Sequence, residues 1–256
     1  MTATDKKSAR VNEIVRTLSG TVALGLKRLL RDARLLYTRP LHWRTKEWSL
    51  FMIIILAISF IYFIDDEVRT DIAGWHNGLL DAIFGFGHWY GGGKPTMYIL
   101  LAMYGLGLIA GAVRLRNTGA LIAESYILAG MLTISIKSLF GRWRPYTGHG
   151  SFNFVPFTTG PNDHLSFPSG HVTVAFALSS VMAGMFDNWI WKASWYGAAA
   201  ITAFSRVYHD QHWLSDVMLS AIIGTSVGIW LLHHTATLAR DGLQTKKETI
   251  GLKSLK

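Results

Sequence analysis

Long apolar runs separated by short polar segments fill the chain from residue 48 onward. Each run is close to the ~20 residues that an α-helix needs to cross about 30 Å of hydrocarbon. The first of them, SLFMIIILAISFIYFI, contains no charged residue. The runs occupy six ranges, about 48–64, 96–114, 119–139, 171–187, 193–210 and 213–233. This pattern predicts an all-α chain whose core is a bundle of six transmembrane helices.

The segment 1–47 has a different pattern, because apolar side chains recur at helical spacing and basic side chains fall between them. The pattern favours an amphipathic interfacial helix on the inner leaflet, or a helix that packs on the membrane domain. Gly20 and Gly25 weaken both interpretations, since glycine is a poor helix former. The apolar positions are Val11, Ile14, Val15, Leu18, Val22, Leu26, Leu29 and Leu30. The predicted organisation is a basic segment 1–47, a six-span domain 48–234 and a basic tail 235–256.

The formal net charge of +9 is unevenly distributed, and residues 1–48 alone carry eleven Lys or Arg. Further basic residues lie at Arg114 and Arg116 and in the tail after residue 239. Basic residues near span ends mark the cytoplasmic side of a membrane protein. With six spans, both termini are therefore predicted in the cytoplasm, in a plasma (inner) membrane. The loops 65–95 and 140–170 then lie on the extracytoplasmic side.

Composition removes several classes of protein. The chain has no cysteine, which excludes disulfides, thiolate catalysis and cysteine-ligated metals. Basic chains often bind nucleic acid, but half of the residues here are hydrophobic, so no nucleic-acid partner is expected. The expected contacts are with membrane lipids.

Three polar clusters, KSLFGRWRP, PSGH and SRVYHDQHWLSD, lie at predicted span ends, where polar groups are costly without a function. Lys137, Arg144 and Arg206 would repel one another unless an anion with several oxygens, such as phosphate, lay between them. Ser169 and Gly170 open a predicted helix, so their backbone N–H groups can point at that anion. The Ser169 hydroxyl is expected either to cap the helix or to bind the phosphate.

Two histidines complete a catalytic set. His212 and Asp216 are four residues apart, so on a helix they share a face. The carboxylate would fix the tautomer of His212 and leave its other ring nitrogen free to attack. His171, on another helix, could protonate the leaving-group oxygen as a general acid.

The order Lys-x6-Arg-Pro, Pro-Ser-Gly-His, Ser-Arg-x5-His-x3-Asp resembles the type 2 phosphatidic acid phosphatase (PAP2) superfamily. The matching residues lie within 137–216, about a third of the chain, and they include Pro145, Pro168 and Ser205. The resemblance implies a metal-independent, cofactor-free phosphohydrolase of the membrane lipid phosphatase branch. It implies a phosphohistidine on His212, orientation of that ring by Asp216, and leaving-group protonation by His171.

Other interpretations stay open at this point. Phosphate transfer to another lipid differs only in the acceptor, and the family resemblance also covers soluble haloperoxidases, against which six spans argue. A metal site could use His209, His212 and Asp216, with His149 and His164 nearby, but three cations would repel a divalent ion. The aromatic cluster FGFGHWYGGG fits an interfacial belt in any membrane protein, so a scaffold or transporter is a further alternative.

The predicted substrate is a lipid phosphate with its headgroup at the outer membrane face. Undecaprenyl pyrophosphate, phosphatidate, phosphatidylglycerol phosphate and a lipid A phosphate all qualify. Arg142 and the loop 146–167 are expected to shape the choice. The sequence leaves open both this choice and the oligomeric state.

Overall fold

The computed structural model describes residues 25–253, with side chains up to residue 238. The described residues form helices joined by turns and loops, and within this range no strand occurs. One isolated antiparallel bridge joins Arg142 to Phe154. The prediction of an all-α chain is confirmed. The chain divides within one helix into two compact units, Met1–Ile53 and Ile54–Lys256.

In the first unit, the described residues begin with helix α1 (25–38), followed by a 3-10 turn, Arg39–His42. Asp32 is fully buried, and its carboxylate lies 2.7 Å from Arg31 Nε. The helix α2, Thr45–Tyr62, starts here and continues into the second unit. Most apolar positions of the predicted amphipathic helix precede residue 25 and lie outside the described residues, so that helix stays a prediction.

Seven more α-helices follow in the described part of the second unit. They are α3 (Asp65–Ala73), α4 (Gly78–Tyr90), α5 (Gly93–Ile109), α6 (Val113–Phe140), α7 (Gly170–Ala183), α8 (Trp189–Tyr208) and α9 (Leu214–Lys253). Each of the six predicted apolar ranges falls mainly on one helix: α2, α5, α6, α7, α8 or α9. In the described chain, three segments are long and apolar enough to cross a membrane: Thr45–Tyr62, Val113–Phe140 and Leu214–Leu238. Helix α7 is apolar but shorter.

Helix α7 forms the centre of the second unit, where it packs against α6, α8 and α9. Val172, Ala175 and Leu178 are at most 1% exposed. Helix α9 approaches α7 closely at Gly224, where a Cβ would lie 2.3 Å from the Thr173 carbonyl oxygen. Close approach through small residues is a common way for helices to pack in membranes. The N-terminal end of α7, where the PSGH motif lies, is thereby held between α8 and α9.

Helix α2 contrasts with this core. Only 6% of its residues are buried inside the protein, and Leu56 and Phe60 are 64% and 73% exposed. An apolar surface of this kind is stable against lipid rather than water, because transfer of apolar area into water is unfavourable.

The structure differs from the predicted elements in three places. The region predicted as the loop 65–95 contains α3 and α4, which are too short and too mixed in polarity to produce a span signal. The Asn77 side chain accepts a hydrogen bond from Leu80 N and so caps α4. Arg114 and Arg116, at the predicted boundary between the ranges 96–114 and 119–139, lie inside α6. Helix α9 continues through most of the predicted tail, which contains no proline to end it.

Candidate active site

His212 lies in the turn between α8 and α9, where its backbone N–H donates to the Arg206 carbonyl at 3.2 Å. The prediction that a shared helix places it beside Asp216 is wrong in this detail, because α9 begins at Leu214. The two side chains nevertheless meet: Nδ1 of His212 lies 3.5 Å from Oδ2 of Asp216. Both side chains are buried, with at most 2% of their surface exposed.

Asp216 is held by three donors. Its carboxylate accepts hydrogen bonds from Arg142 Nη1 at 2.7 Å, Ser166 Oγ at 2.5 Å and Trp213 N at 2.9 Å. The last contact satisfies the backbone N–H of Trp213, the residue just before α9, as a capping box does. Ser166 Oγ also lies 3.4 Å from His212 Nδ1. A proton on Nδ1 satisfies both neighbours, so the Nε2 lone pair is left for chemistry.

Burial lowers the pKa of His212 well below its ordinary value of 6.5, and the charges of Lys137 and Arg144 act in the same direction. The hydrogen bond to Asp216 opposes this shift but does not cancel it. His212 is therefore neutral at pH 7, which is the protonation state of a nucleophilic imidazole.

Arg142 lies inside the protein, fully buried, and not on a surface that could select a substrate. Its guanidinium donates to Ser151 O, Ser215 Oγ and both Asp216 and Asp65. Asp65 in turn accepts from Ser215 N at 2.9 Å, near the start of α9. Asp65 was not identified from the sequence. Its only distinguishing feature in the sequence is its position directly after the first apolar run.

Each of the three predicted phosphate-binding cations contacts neutral groups. Lys137 Nζ donates to the Leu165 carbonyl. Arg144 donates to Asn162 O, Asn162 Oδ1 and Gln211 Oε1 at 2.8–3.0 Å.

Arg206 donates through Nη1 to His88 Nδ1 at 2.6 Å, and its Nε is buried without a hydrogen-bond partner. Lys137 and Arg206 are both close enough to Arg144 to repel it electrostatically. Between residues 25 and 238, none of the three forms an ion pair with a carboxylate. Asp216 acts electrostatically on Lys137 and Arg144 only from beyond ion-pair distance, so the cluster carries a net positive charge.

Ser169 and Gly170 lie where α7 begins. Ser169 is the N-cap residue, but its hydroxyl makes no capping bond, so that alternative is wrong. Its N–H donates to Ser220 Oγ at 2.6 Å and is not available to an anion, whereas its Oγ is buried without a partner. A Cβ built at Gly170 would meet no protein atom within 4 Å. The first turn of α7 thus offers one hydroxyl and an unobstructed backbone.

His171 lies on the first turn of α7, close enough to Arg206, Arg144 and Lys137 to feel their charges. The His88 ring stacks on it, with centroids 5.3 Å apart and an interplanar angle of 17°. His88 belongs to FGFGHWYGGG, which the sequence pattern indicated only as an interfacial belt. Residues 84–90 of this segment form the end of α4, which packs closely on α8: a Cβ at Gly87 would lie 2.6 Å from Ile201 O.

The other histidines considered as metal ligands have separate contacts. His209 Nδ1 lies 2.7 Å from Ser205 O, while His149 and His164 pack against the Trp143 ring. Throughout the described range, no three His, Cys, Asp or Glu side chains are grouped as metal ligands.

Two curated relatives share part of this chain. A lipid A 1-phosphatase of Porphyromonas gingivalis is 36% identical over 105 residues, 40% of this chain and 20% of the relative. An undecaprenyl-diphosphatase of Sulfolobus acidocaldarius is 28% identical over 116 residues, 44% of this chain and 52% of the relative. This chain therefore spans no more than about half the length of either relative.

A crystal structure of a transmembrane PAP2-type phosphatidylglycerolphosphate phosphatase from Bacillus subtilis has the same fold, with a TM-score of 0.54 and 15% identity. The alignment covers 76% of this chain and 98% of that one. With its three long apolar helices, the chain is a membrane protein. The sequence model of the PAP2 superfamily matches residues 118–240, which contain all three motifs. The segment 118–240 therefore belongs to the PAP2 superfamily.

Proposed function

We propose that this chain is an integral membrane phosphatase that hydrolyses a lipid phosphate or diphosphate through a phosphohistidine on His212. The observation that carries the proposal is the cluster of Lys137, Arg144 and Arg206, without an ion-paired carboxylate among the described residues, beside a neutral, carboxylate-oriented histidine. Two buried donors have no partner and suit phosphate oxygens: Arg206 Nε belongs to this cluster, and Ser169 Oγ lies at the start of α7, two residues before His171.

In the first step, His212 Nε2 attacks phosphorus and the bond to the leaving oxygen breaks. The electron pair of that bond goes to the leaving oxygen, which takes a proton from the imidazolium form of His171. In the second step, water attacks the phosphohistidine, the P–N pair returns to Nε2, and His171 recovers a proton from the water. The three cations and Ser169 stabilise the charge on the phosphoryl oxygens in both steps.

The relatives act on lipid phosphates by name, which supports a lipid substrate for this chain. Candidates are undecaprenyl diphosphate, phosphatidate, phosphatidylglycerol phosphate and a lipid A phosphate. Phosphate release from this panel should be measured with the detergent-purified full chain and a chelator, beside His212→Ala as the inactive control. We expect release from at least one lipid despite the chelator. No release from any lipid, or release that needs added metal, would contradict the proposal.

We further propose six spans, α2 and α5 to α9, with both termini cytoplasmic and the site on the extracytoplasmic side. The basic segment 1–47 then lies on the inner leaflet, the domain 48–234 spans the membrane, and 235–256 is cytoplasmic. The chain has no cysteine, so single cysteines report topology cleanly. In intact cells, an impermeant thiol reagent should label Thr159→Cys, on the exposed loop, and not Lys247→Cys in the tail. The reverse pattern would place the site on the cytoplasmic side.

A further inference from the structure

His88 is not part of any of the three motifs, yet it touches two side chains of the site. Its Nδ1 lies 2.6 Å from Arg206 Nη1, and its ring stacks on that of His171. A guanidinium can only donate, so Nδ1 must be the acceptor in this contact. The proton of the neutral ring is then on Nε2, which becomes a hydrogen-bond donor.

The neutral form of His88 is the one present near pH 7. Partial desolvation and the nearby Arg206 charge lower the pKa of His88 below its ordinary value. His88 is exposed at the end of α4, and its Nε2 has no hydrogen-bond partner among the residues described. Arg206 belongs to the phosphate-binding cluster, so its contact with His88 places the His88 ring at the edge of that cluster.

His88 also stacks on His171, the group proposed above to protonate the leaving oxygen, so it lies on the leaving-group side of the site. In a lipid monophosphate, the atoms beyond that oxygen belong to an uncharged carbon chain or glycerol. In a lipid diphosphate, they belong to a second phosphate, whose oxygens need donors. A charge-assisted hydrogen bond to phosphate is stronger than one between neutral groups.

Resting on the proposed function, we propose that His88 binds the leaving phosphate and thereby favours lipid diphosphates over lipid monophosphates. His212 then attacks the terminal phosphorus, the phosphoanhydride bond breaks, and the lipid monophosphate leaves with its bridging oxygen protonated by His171. Water releases inorganic phosphate from His212, so one diphosphate and one water give one lipid monophosphate and one phosphate.

The test uses a matched pair of substrates, farnesyl diphosphate and farnesyl monophosphate, with the full chain in detergent. For His88→Ala, the ratio of kcat/KM on the diphosphate to that on the monophosphate should fall roughly ten- to a hundredfold. His88→Asn keeps an acceptor near the Nδ1 position for Arg206 but has no distal N–H. Its ratio should fall equally, while its monophosphate rate falls less than that of His88→Ala.

His76→Ala is the matched control, because His76 is an exposed histidine outside the cluster and lies against Asp81 and Tyr208. Its ratio should equal that of the wild type. An unchanged ratio in both His88 variants, or a larger loss on the monophosphate, overturns the inference. If the wild-type protein cleaves the monophosphate but not the diphosphate, the inference is overturned and the proposed phosphatase stands. If it cleaves neither substrate and no lipid of the panel above, both are overturned.

Discussion

Asp65 and Asp216 lie on different helices, and a single guanidinium joins them: Arg142 Nη2 is 2.8 Å from Asp65 and Nη1 is 2.7 Å from Asp216. All three side chains are fully buried. The Arg142 guanidinium also lies over the Tyr62 ring at 4.2 Å. Asp216, the carboxylate that orients His212, is thus tied through Arg142 to Asp65 on α3, a helix that precedes all three motifs in the sequence.

Arg142→Met should therefore destabilise the protein strongly. The variant leaves two buried carboxylates without their counter-charge, and loss of one partner of a buried ion pair costs about 3–5 kcal/mol. Thermal unfolding in detergent should show a much lower midpoint than the wild type. Lys192→Met removes the partner of the exposed Asp187 and should leave the midpoint unchanged. Equal midpoints for Arg142→Met and wild type would mean that the triad adds no net stability.

A second prediction concerns Ser169. Its hydroxyl makes no hydrogen bond within the described chain, so Ser169→Ala should unfold at the wild-type temperature. Its turnover should nevertheless fall, since removal of a donor aimed at transition-state charge costs roughly 10²–10³ in rate. Ser220→Ala is the contrasting variant: it deprives the buried Ser169 N–H of its acceptor and should cost about 1–3 kcal/mol of stability. Normal turnover by Ser169→Ala would remove its hydroxyl from the phosphate site.

The sequence predicted which motif residues would come together better than which residues hold them in place. Lys137, Arg144, Arg206 and His212 were identifiable because buried cations and a histidine–carboxylate spacing are unusual at span ends. The residues that support them carry no such signal: Asp65 and His88 lie on α3 and α4, amphipathic helices inside a predicted loop, and Ser166 is one of several serines and threonines in the loop before α7. Which of these meets the site depends on how helices pack, and local patterns do not encode it.

The six apolar runs became six helices because hydrophobic segments of that length have few alternatives in lipid. The turn that holds His212 was not predicted, because the four-residue spacing between His212 and Asp216 fits a helix equally well.

The third prediction is a pH dependence of stability. The pKa of His212 is depressed in the folded protein, so below about pH 6.5 the unfolded chain binds a proton at this position that the folded chain does not. Stability then falls with decreasing pH, by up to about 1.4 kcal/mol per pH unit for one proton. The unfolding midpoint of the wild type should drop more between pH 7.5 and pH 5.5 than that of His212→Ala. Parallel pH profiles would show that His212 titrates normally in the folded state.

The last prediction separates the two catalytic histidines. His212→Ala should abolish both turnover and the phosphoenzyme trapped by acid quench, because the variant has no nucleophile. His171→Ala keeps the nucleophile and loses only the proton donor. A lipid alkoxide is a poor leaving group and needs that proton, whereas an activated aryl phosphate leaves with little help.

The loss in His171→Ala should therefore be severe on a lipid monophosphate and smaller on an aryl phosphate, with a gap within the roughly 10²–10⁴-fold that acid–base catalysis supplies. Phosphoenzyme should still form from the aryl substrate. The measurement is the ratio of mutant to wild-type rate on each substrate, with the rate of the inactive variant His212→Ala subtracted as background. His171 lies beside Arg206 and Arg144, so its removal could also weaken phosphate binding. That effect would lower both rates equally, and equal losses without phosphoenzyme would assign His171 to binding instead of proton transfer.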